Sequence, residues 1–526
     1  MQRPARRVLK GRARAGERTD FMRAALHCCE YDELKLLFET EVSKEETLEL
    51  VVPDVCADVA SVLDVRGQLL LSSQKAKTNE IATSASADVK VVCVSEDGTV
   101  QCVTGVIPFD QSIAAESVSE NDSVIVRCCL SNVEARTLNP RKLLLRAEVS
   151  VYAAAYGQQK ASFCDGLAEG SDSTIHLLQK EFDCCAVRSV RDKSFTVSDE
   201  YRLPEDRGKE LKLLSTVTTV NDADVKGVGT KLIIKARADT TAVFLNNADG
   251  SLFDEAFSTE FSQIVEADAA GEDVDDTAFL QLKDAEFTCI PGREGGFAVS
   301  AQLYLTAQTI RREKRRQTYI ADAYSNSRKL MVETEQLKAP SCPAQRELHF
   351  ELREKLPQKT PLSEISYVAV STVYAEANVD SVTIRARLGG AGKDADGMPA
   401  SVSMELYGKQ DVDARSGAKL TVLSVSSGAP SVIGAAGEAE LALPVTVVCA
   451  VASGSEITAV MGISCDDSAP AMERGPSLIV LCSEREADLW SLAKKYRSTT
   501  DAIRAANGGE AVFDPARRPL LIPRAR

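Results

Sequence analysis

Tryptophan occurs once and histidine three times in 526 residues, and aromatic residues make up only 5% of the chain. That scarcity does not suggest an aromatic-lined sugar cleft or a base-stacking surface. His27, His176 and His349 lie in separate segments, each without a second histidine in helical or strand reach. No Cys-x-x-Cys occurs among the fifteen cysteines. Zinc sites are built on such spacings, so no metal is expected and the histidines read as solvated or packed. The chain also lacks a Gly-x-Ser-x-Gly elbow, a phosphate-binding loop and a dinucleotide fingerprint, and Gly227-Val228-Gly229 alone is no substitute. Neither an enzyme nor a cofactor is expected. No apolar run approaches the roughly 20 residues that cross a bilayer as a helix.

Positive charge is in deficit: 62 Lys and Arg face 77 Asp and Glu, for a net charge of −15. Nucleic-acid and anionic-membrane binding both rest on Lys/Arg density, so neither is expected. The first 18 residues do carry seven Arg or Lys, but no apolar segment follows. Residues 1–32 therefore read as a basic, disordered arm rather than a secretory signal. A reducing compartment follows, in which cysteines pack as small apolar side chains. Two charge runs stand out. Arg311–Arg316 (RREKRR) reads as a solvated strand end or linker, or else as a docking patch for an acidic partner. Glu272-Asp273 and Asp275-Asp276 read as a solvated acidic loop.

Against these absences stands a repeat. ELVVPDVCADVASVLDVRGQLLLSSQ from Glu49, EYRLPEDRGKELKLLSTVTTV from Glu200 and REKLPQKTPLSEISYVAVSTVYAEA from Arg353 share one plan. Their prolines, Pro53, Pro204 and Pro357, are spaced 204 − 53 = 151 and 357 − 204 = 153 residues apart. Such an interval is too long for a solenoid unit and suits a small domain.

Within the first two copies the strand signals recur in order. Glu96-Asp97-Gly98 and Asp249-Gly250 are hairpin turns, because glycine takes positive φ without steric cost. Asn139-Pro140 and Gly295-Gly296 turn into closing strands. Leu143, Leu145, Ala147, Val149 and Val151 alternate on one face, as do Phe297, Val299, Ala301, Leu303 and Leu305. In the third copy Leu441, Leu443, Val445 and Val447 do the same. Pro444 cannot donate to a ladder, which predicts an edge strand or a bulge there. Gly389-Gly390, Gly392 and Gly397 predict a flexible loop in its middle.

The last fifty residues differ in kind. Leu478 to Leu481 is a strand run, and Leu489, Leu492, Ala493 and Tyr496 mark one face of a helix. Thr499 or Thr500 caps a second helix that Asn507-Gly508 ends, and Leu520-Leu521-Ile522 returns as a strand. The predicted order is βααβ.

This tail resembles a LysM domain. DLWSLAKKY from Asp488, STTDAIRAANG from Ser498 and LLIP from Leu520 carry the likeness. LysM modules commonly bind N-acetylglucosamine polymers in a groove between the first strand–helix loop and the second helix–strand loop. Here Glu486-Ala487-Asp488 replaces the family's usual Gly-Asp-Thr. Side chains there hinder the close backbone approach that glycine permits, which favours a protein partner over glycan. Trp490 projects about 100° from its Leu489 neighbour. It is expected either to anchor an interface or to cover the edge of the tail's own core.

The upstream repeats resemble the domain of spore-coat-associated proteins in endospore-forming Firmicutes. The likeness rests on the segment from Glu49, on VIPFDQSI (Val106 to Ile113), on VEARTLNPRKLLLRAEVSV from Val133 and on IADAYSNSRKLMVETE from Ile320. Such repeats followed by one LysM domain are similar to the clostridial spore coat morphogenetic adaptor family.

The expected fold is mainly β. Tandem sandwich or barrel-like modules at 33–160, 176–312 and 327–466 precede a βααβ domain at 476–526. The resemblance implies a non-enzymatic scaffold in the mother-cell cytoplasm, at the forespore surface. Its expected partner is the coat basement-layer ATPase or other coat proteins. The alternative is a wall protein that binds peptidoglycan. Asp488, Leu489, Trp490 and Ile503 are the expected contact residues for partner or glycan.

Overall fold

The computed structural model describes residues 21–171, 174–204, 207, 210–268, 271, 273–291, 296–356, 362–413, 417–434, 439–466, 476–482, 488–508 and 519–524. These form 24 strands and two helices, so the protein is mainly β. A short strand, β1 (Phe21–Arg23), precedes three units of one topology.

The first unit comprises β2 (Leu26–Val51), β3 (Val59–Lys77), β4 (Glu80–Ser95), β5 (Val100–Ala114), β6 (Ser123–Asn139) and β7 (Lys142–Leu167). The meander β3-β4-β5 forms one sheet, and β2-β7-β6 is laid on it. The second unit repeats this with β8 (Ile175–Arg202), β9 (Leu211–Val228), β10 (Lys231–Asn246), β11 (Leu252–Glu266), β12 (Val274–Pro291) and β13 (Phe297–Ser325). Its sheets are β9-β10-β11 and β8-β13-β12, the latter continuous with β2-β7-β6 as one six-stranded sheet through the pairing of Leu34 on β2 with Val187 on β8.

In the third unit the outer strands are broken into pieces. Its strands are β14 (Leu330–Pro340), β15 (Ala344–Lys355), β16 (Leu362–Ala377), β17 (Ser381–Asp394), β18 (Pro399–Asp411), β19 (Lys419–Ser427), β20 (Ser431–Ile433), β21 (Glu440–Ala452) and β22 (Gly454–Asp466). Its sheets are β16-β17-β18 and β15-β21-β19, with β14 and β22 paired separately beside β1.

Each sandwich core is the alternation of its closing strand. Leu143, Val299 and Leu441 are all fully buried, and each sits opposite the same step of its first strand: Leu50, Tyr201 and Glu354. Leu145, Ala301 and Leu443 follow, two residues on, and are equally buried. The third-to-fourth hairpin carries its glycine at Gly98, Gly250 and Gly397, with φ of 84°, 72° and 79°. Positive φ is what that turn demands, and glycine alone meets it without strain.

The units close on one another in a ring. β3 packs on β12, β9 packs on β19, and β16 packs on β6. In each case a second strand meets the next unit's fifth strand, so the arrangement is pseudo-threefold. At the centre a cluster draws Leu63 and Val92 from the first unit, Leu214 and Val243 from the second, and Tyr367 and Ala391 from the third. The residues opposite Val92, Val243 and Ala391 are Asp64, Ser215 and Tyr367. Asp64 accepts from Arg66 Nε at 2.7 Å and from the Tyr367 hydroxyl at 3.1 Å. Arg66 is wholly buried, with two guanidinium nitrogens that have no hydrogen-bond partner among the described residues.

Several expectations are corrected here. The predicted loop at Gly389, Gly390 and Gly392 is the buried strand β17. A Cβ at Gly390 or Gly392 would lie 2.1 or 2.3 Å from the backbone oxygens of Tyr367 or Glu364. One at Gly389 would lie 2.2 Å from Asp64 Oδ1. These glycines exist for close approach, not flexibility. Pro444 sits in the central strand of its sheet rather than at an edge. Its missing N–H faces the gap between β19 and β20, where its carbonyl accepts from Gly428 N at 3.0 Å.

The charge runs are two sides of one ladder, with Asp275 opposite Arg312 and Asp276 opposite Arg311. Arg311 is buried, is bonded to both Asp276 oxygens at 2.9 and 3.1 Å, and donates to Gly229 O at 2.6 Å. Gly227 leaves room for that pair: its Cβ would lie 2.3 Å from Asp276. The Arg311 and Asp276 side chains are therefore buried, and Arg311 cannot serve a docking patch, whereas Asp273, Lys314 and Arg316 stay exposed as expected of a solvated face. Glu272 lies outside the described residues.

The strands also run past the expected module edges. β2 begins at Leu26 and β1 pairs with β22, so residues 21–32 are structured; residues 1–20 lie outside the described set. The overrun ends of β2 and β7, of β8 and β13, and β14 with β22 make three ribbons. They share a core of Cys164, Ile175, Ile320, Val460 and Ile463. Four cysteines are disulfide-bonded instead of free. Cys28–Cys164 closes the first ribbon, and Cys185–Cys342 ties the second unit to the third.

Candidate functional site

The tail is a βααβ unit built of β23 (Leu478–Leu481), α1 (Leu489–Tyr496), α2 (Thr500–Ala506) and β24 (Leu520–Pro523). β23 and β24 pair antiparallel. Asp488 caps α1, accepting from the backbone N–H groups of Trp490 and Ser491. Thr499 caps α2, accepting from Ala502 N at 3.0 Å. Two orphan helix donors are met in the first case and one in the second. Asn507 ends α2 and grips β24: its amide donates to Ile503 O and Leu521 O and accepts from Leu521 N.

Leu492, Ala493, Ile503, Leu520 and Ile522 form the tail's buried core, joined by Leu489, Tyr496 and Trp490 at its margin. The same cluster contains Tyr324, at the far end of β13. The tail is therefore seated on the body of the protein. Trp490 and Lys494 are four residues apart and share a helix face. The indole Nε1 donates to Asp322 Oδ2 at 2.9 Å, and Lys494 Nζ lies 2.7 Å from both Asp322 oxygens. The Trp490 and Tyr324 rings meet edge to face, 4.8 Å apart. The Tyr324 hydroxyl donates to Ser498 O at 2.8 Å. A register shift between Ile320 and Asp322 breaks the strand's alternation here and re-aims Asp322.

Burial raises the Asp322 carboxyl, but the Lys494 and Trp490 hydrogen bonds outweigh it and hold the group below its usual value. Burial, and then the charge of Asp501, push Tyr324 up to about 12, so its hydroxyl remains a donor through the neutral range.

The four expected contact residues are thus brought together but differently used. Ile503 is core, with no exposed surface. Leu489 is half-buried against that core, and Asp488 is an exposed helix cap. Trp490 is committed to Asp322 and Tyr324 within the same chain. Sequence reasoning missed Asp322, Tyr324 and Lys494, because the pairing spans 168 residues and leaves no local signal. The walls of the expected glycan groove, 483–487 and 509–518, including Glu486 and Ala487, lie outside the described residues.

No family model, curated protein or solved structure matches this chain. No helix among the described residues is long and apolar enough to cross a membrane.

Proposed function

We propose that this chain is a non-enzymatic scaffold of spore-envelope assembly, a member of the clostridial coat morphogenetic adaptor type with a LysM-like tail. It joins the coat basement-layer ATPase, or another coat protein, to the forespore surface from the mother-cell side. The observation that supports this reading best is the ring itself. Three units of one topology are packed around one centre, an arrangement suited to holding several partner molecules. Linked sites of this kind raise effective concentration without new contacts. With Trp490 turned inward, the exposed cap Asp488 is the expected contact residue that remains open to a partner.

The test is direct binding of the full chain to purified basement-layer ATPase from an endospore-former, read by co-elution and by titration. A stoichiometric complex is the expected result; no complex at micromolar concentrations removes the reading. Retention of the full chain on insoluble peptidoglycan would instead move the assignment to a glycan-binding wall protein.

A further inference from the structure

His27 and Cys29 are two residues apart on β2 and share one face of the first ribbon. Across the ladder, His27 lies opposite Gly166 and Cys28 opposite Cys164, which leaves Asp165 as the extra residue of a bulge. The bulge turns the Asp165 carboxylate in between the two side chains. His27 Nδ1 stands 2.6 Å from Asp165 Oδ1, and Cys29 Sγ stands 3.6 Å from Asp165 Oδ2. One imidazole nitrogen, one sulfur and one carboxylate oxygen thus lie within 4.8 Å of one another, all partly exposed. Cys28 and Cys164 are consumed in a disulfide, whereas Cys29 keeps its thiol. Gly166 leaves open space beside His27. Asp165 also lines an open groove with Gln179, Lys180, Glu181 and Thr318 of the second ribbon.

From this geometry we propose that His27, Cys29 and Asp165 form a three-ligand site for a divalent, borderline-soft transition-metal cation such as zinc. An imidazole–thiolate–carboxylate set suits zinc, whereas magnesium and calcium take oxygen ligands alone. Three protein ligands leave one tetrahedral position open, here toward solvent and the groove between the ribbons. Binding replaces the His27–Asp165 hydrogen bond with two metal bonds, leaves the imidazole proton on Nε2 instead of Nδ1, and releases the Cys29 proton to solvent. The three ligand atoms lie within 4.8 Å of one another, and His27 Nδ1 and Asp165 Oδ1 must part from 2.6 Å to the roughly 3.3 Å edge of a zinc tetrahedron, a step side-chain rotation can supply. The site escapes a search by sequence spacing because Asp165 lies 138 residues from His27, and only the bulge brings it in.

Cobalt is the probe, added to the chelator-treated full chain under anaerobic conditions. A thiolate-to-cobalt charge-transfer band should saturate at one equivalent and be displaced by zinc. His27→Ala, Cys29→Ser and Asp165→Asn should each weaken binding about ten-fold or more. Cys482→Ser, which removes an exposed thiol elsewhere, should leave binding unchanged. Asp165→Asn is isosteric, and circular dichroism of each variant separates ligand loss from misfolding. No stoichiometric band in the parent chain, or a band that survives Cys29→Ser, would overturn the site.

Discussion

Trp490 and Asp322 are joined by an indole N–H···carboxylate hydrogen bond of 2.9 Å that fastens the C-terminal unit to the second repeat. Lys494 reinforces it from the next helical turn.

Trp490 is the only tryptophan, so its fluorescence reports this contact alone. Asp322→Ala should shift its emission to the red and open it to acrylamide. The contact should weaken by about 1.5–3 kcal/mol, the range for hydrogen bonds to charged groups. Identical emission in the variant would mean that the tail does not sit on β13 in solution.

The same contact should depend on acidity in a definite direction. Asp322 is held below its ordinary value in the folded chain, so its contribution is fully present above about pH 3.9, the usual unfolded value. It is lost as pH falls through the lower folded value. Tyr324, raised to about 12, gives the mirror effect: its share is intact below pH ~10 and disappears as pH rises toward 12. A fluorescence–pH profile flat between these limits is expected. A transition near neutrality would contradict it.

At the ring's centre, Arg66→Met alone should destabilise the protein by about 3–5 kcal/mol, because it strands the buried Asp64 charge. Adding Asp64→Leu should recover most of that loss, since an apolar pair has no charge to desolvate. Chemical denaturation of the single and double variants checks this. A double variant no better than the single would show that the polar centre, with its Tyr367–Asp64 hydrogen bond between units, is worth more than an apolar replacement.

In denaturant without reductant, eleven cysteines should react with a thiol reagent, and all fifteen should react after reduction. Fifteen at the outset would remove both disulfides.

The repeat and its hairpins were legible because their signals are local. Gly98 and Gly250 mark turns by conformation, and the run from Leu143 to Val151 marks a core face by period two. Local signals fail where two distant segments complete one another. Arg311 and Asp276 read separately as solvated charges, yet each is the other's buried partner across a ladder. Gly389 read as slack, because its purpose, room for Asp64, lies in another unit. Trp490 was open to either interpretation from the sequence, since neither Asp322 nor Tyr324 is near it in the chain. The overrun of β2 and β13 past the expected edges was hidden for a different reason: ribbons that pack on other ribbons blur the inside–outside alternation that a half-buried strand displays.

An assembly of three identical subunits must repeat on its axis whatever it places there. Three aspartates would converge where Asp64 now meets the Tyr367 hydroxyl, and three guanidiniums would crowd the buried centre that Arg66 now occupies alone. Covalent linkage of the copies lifts that constraint. One acid, one base and one phenol can share a spot that no homotrimer could furnish asymmetrically, and the molecule acquires a unique orientation about its own axis.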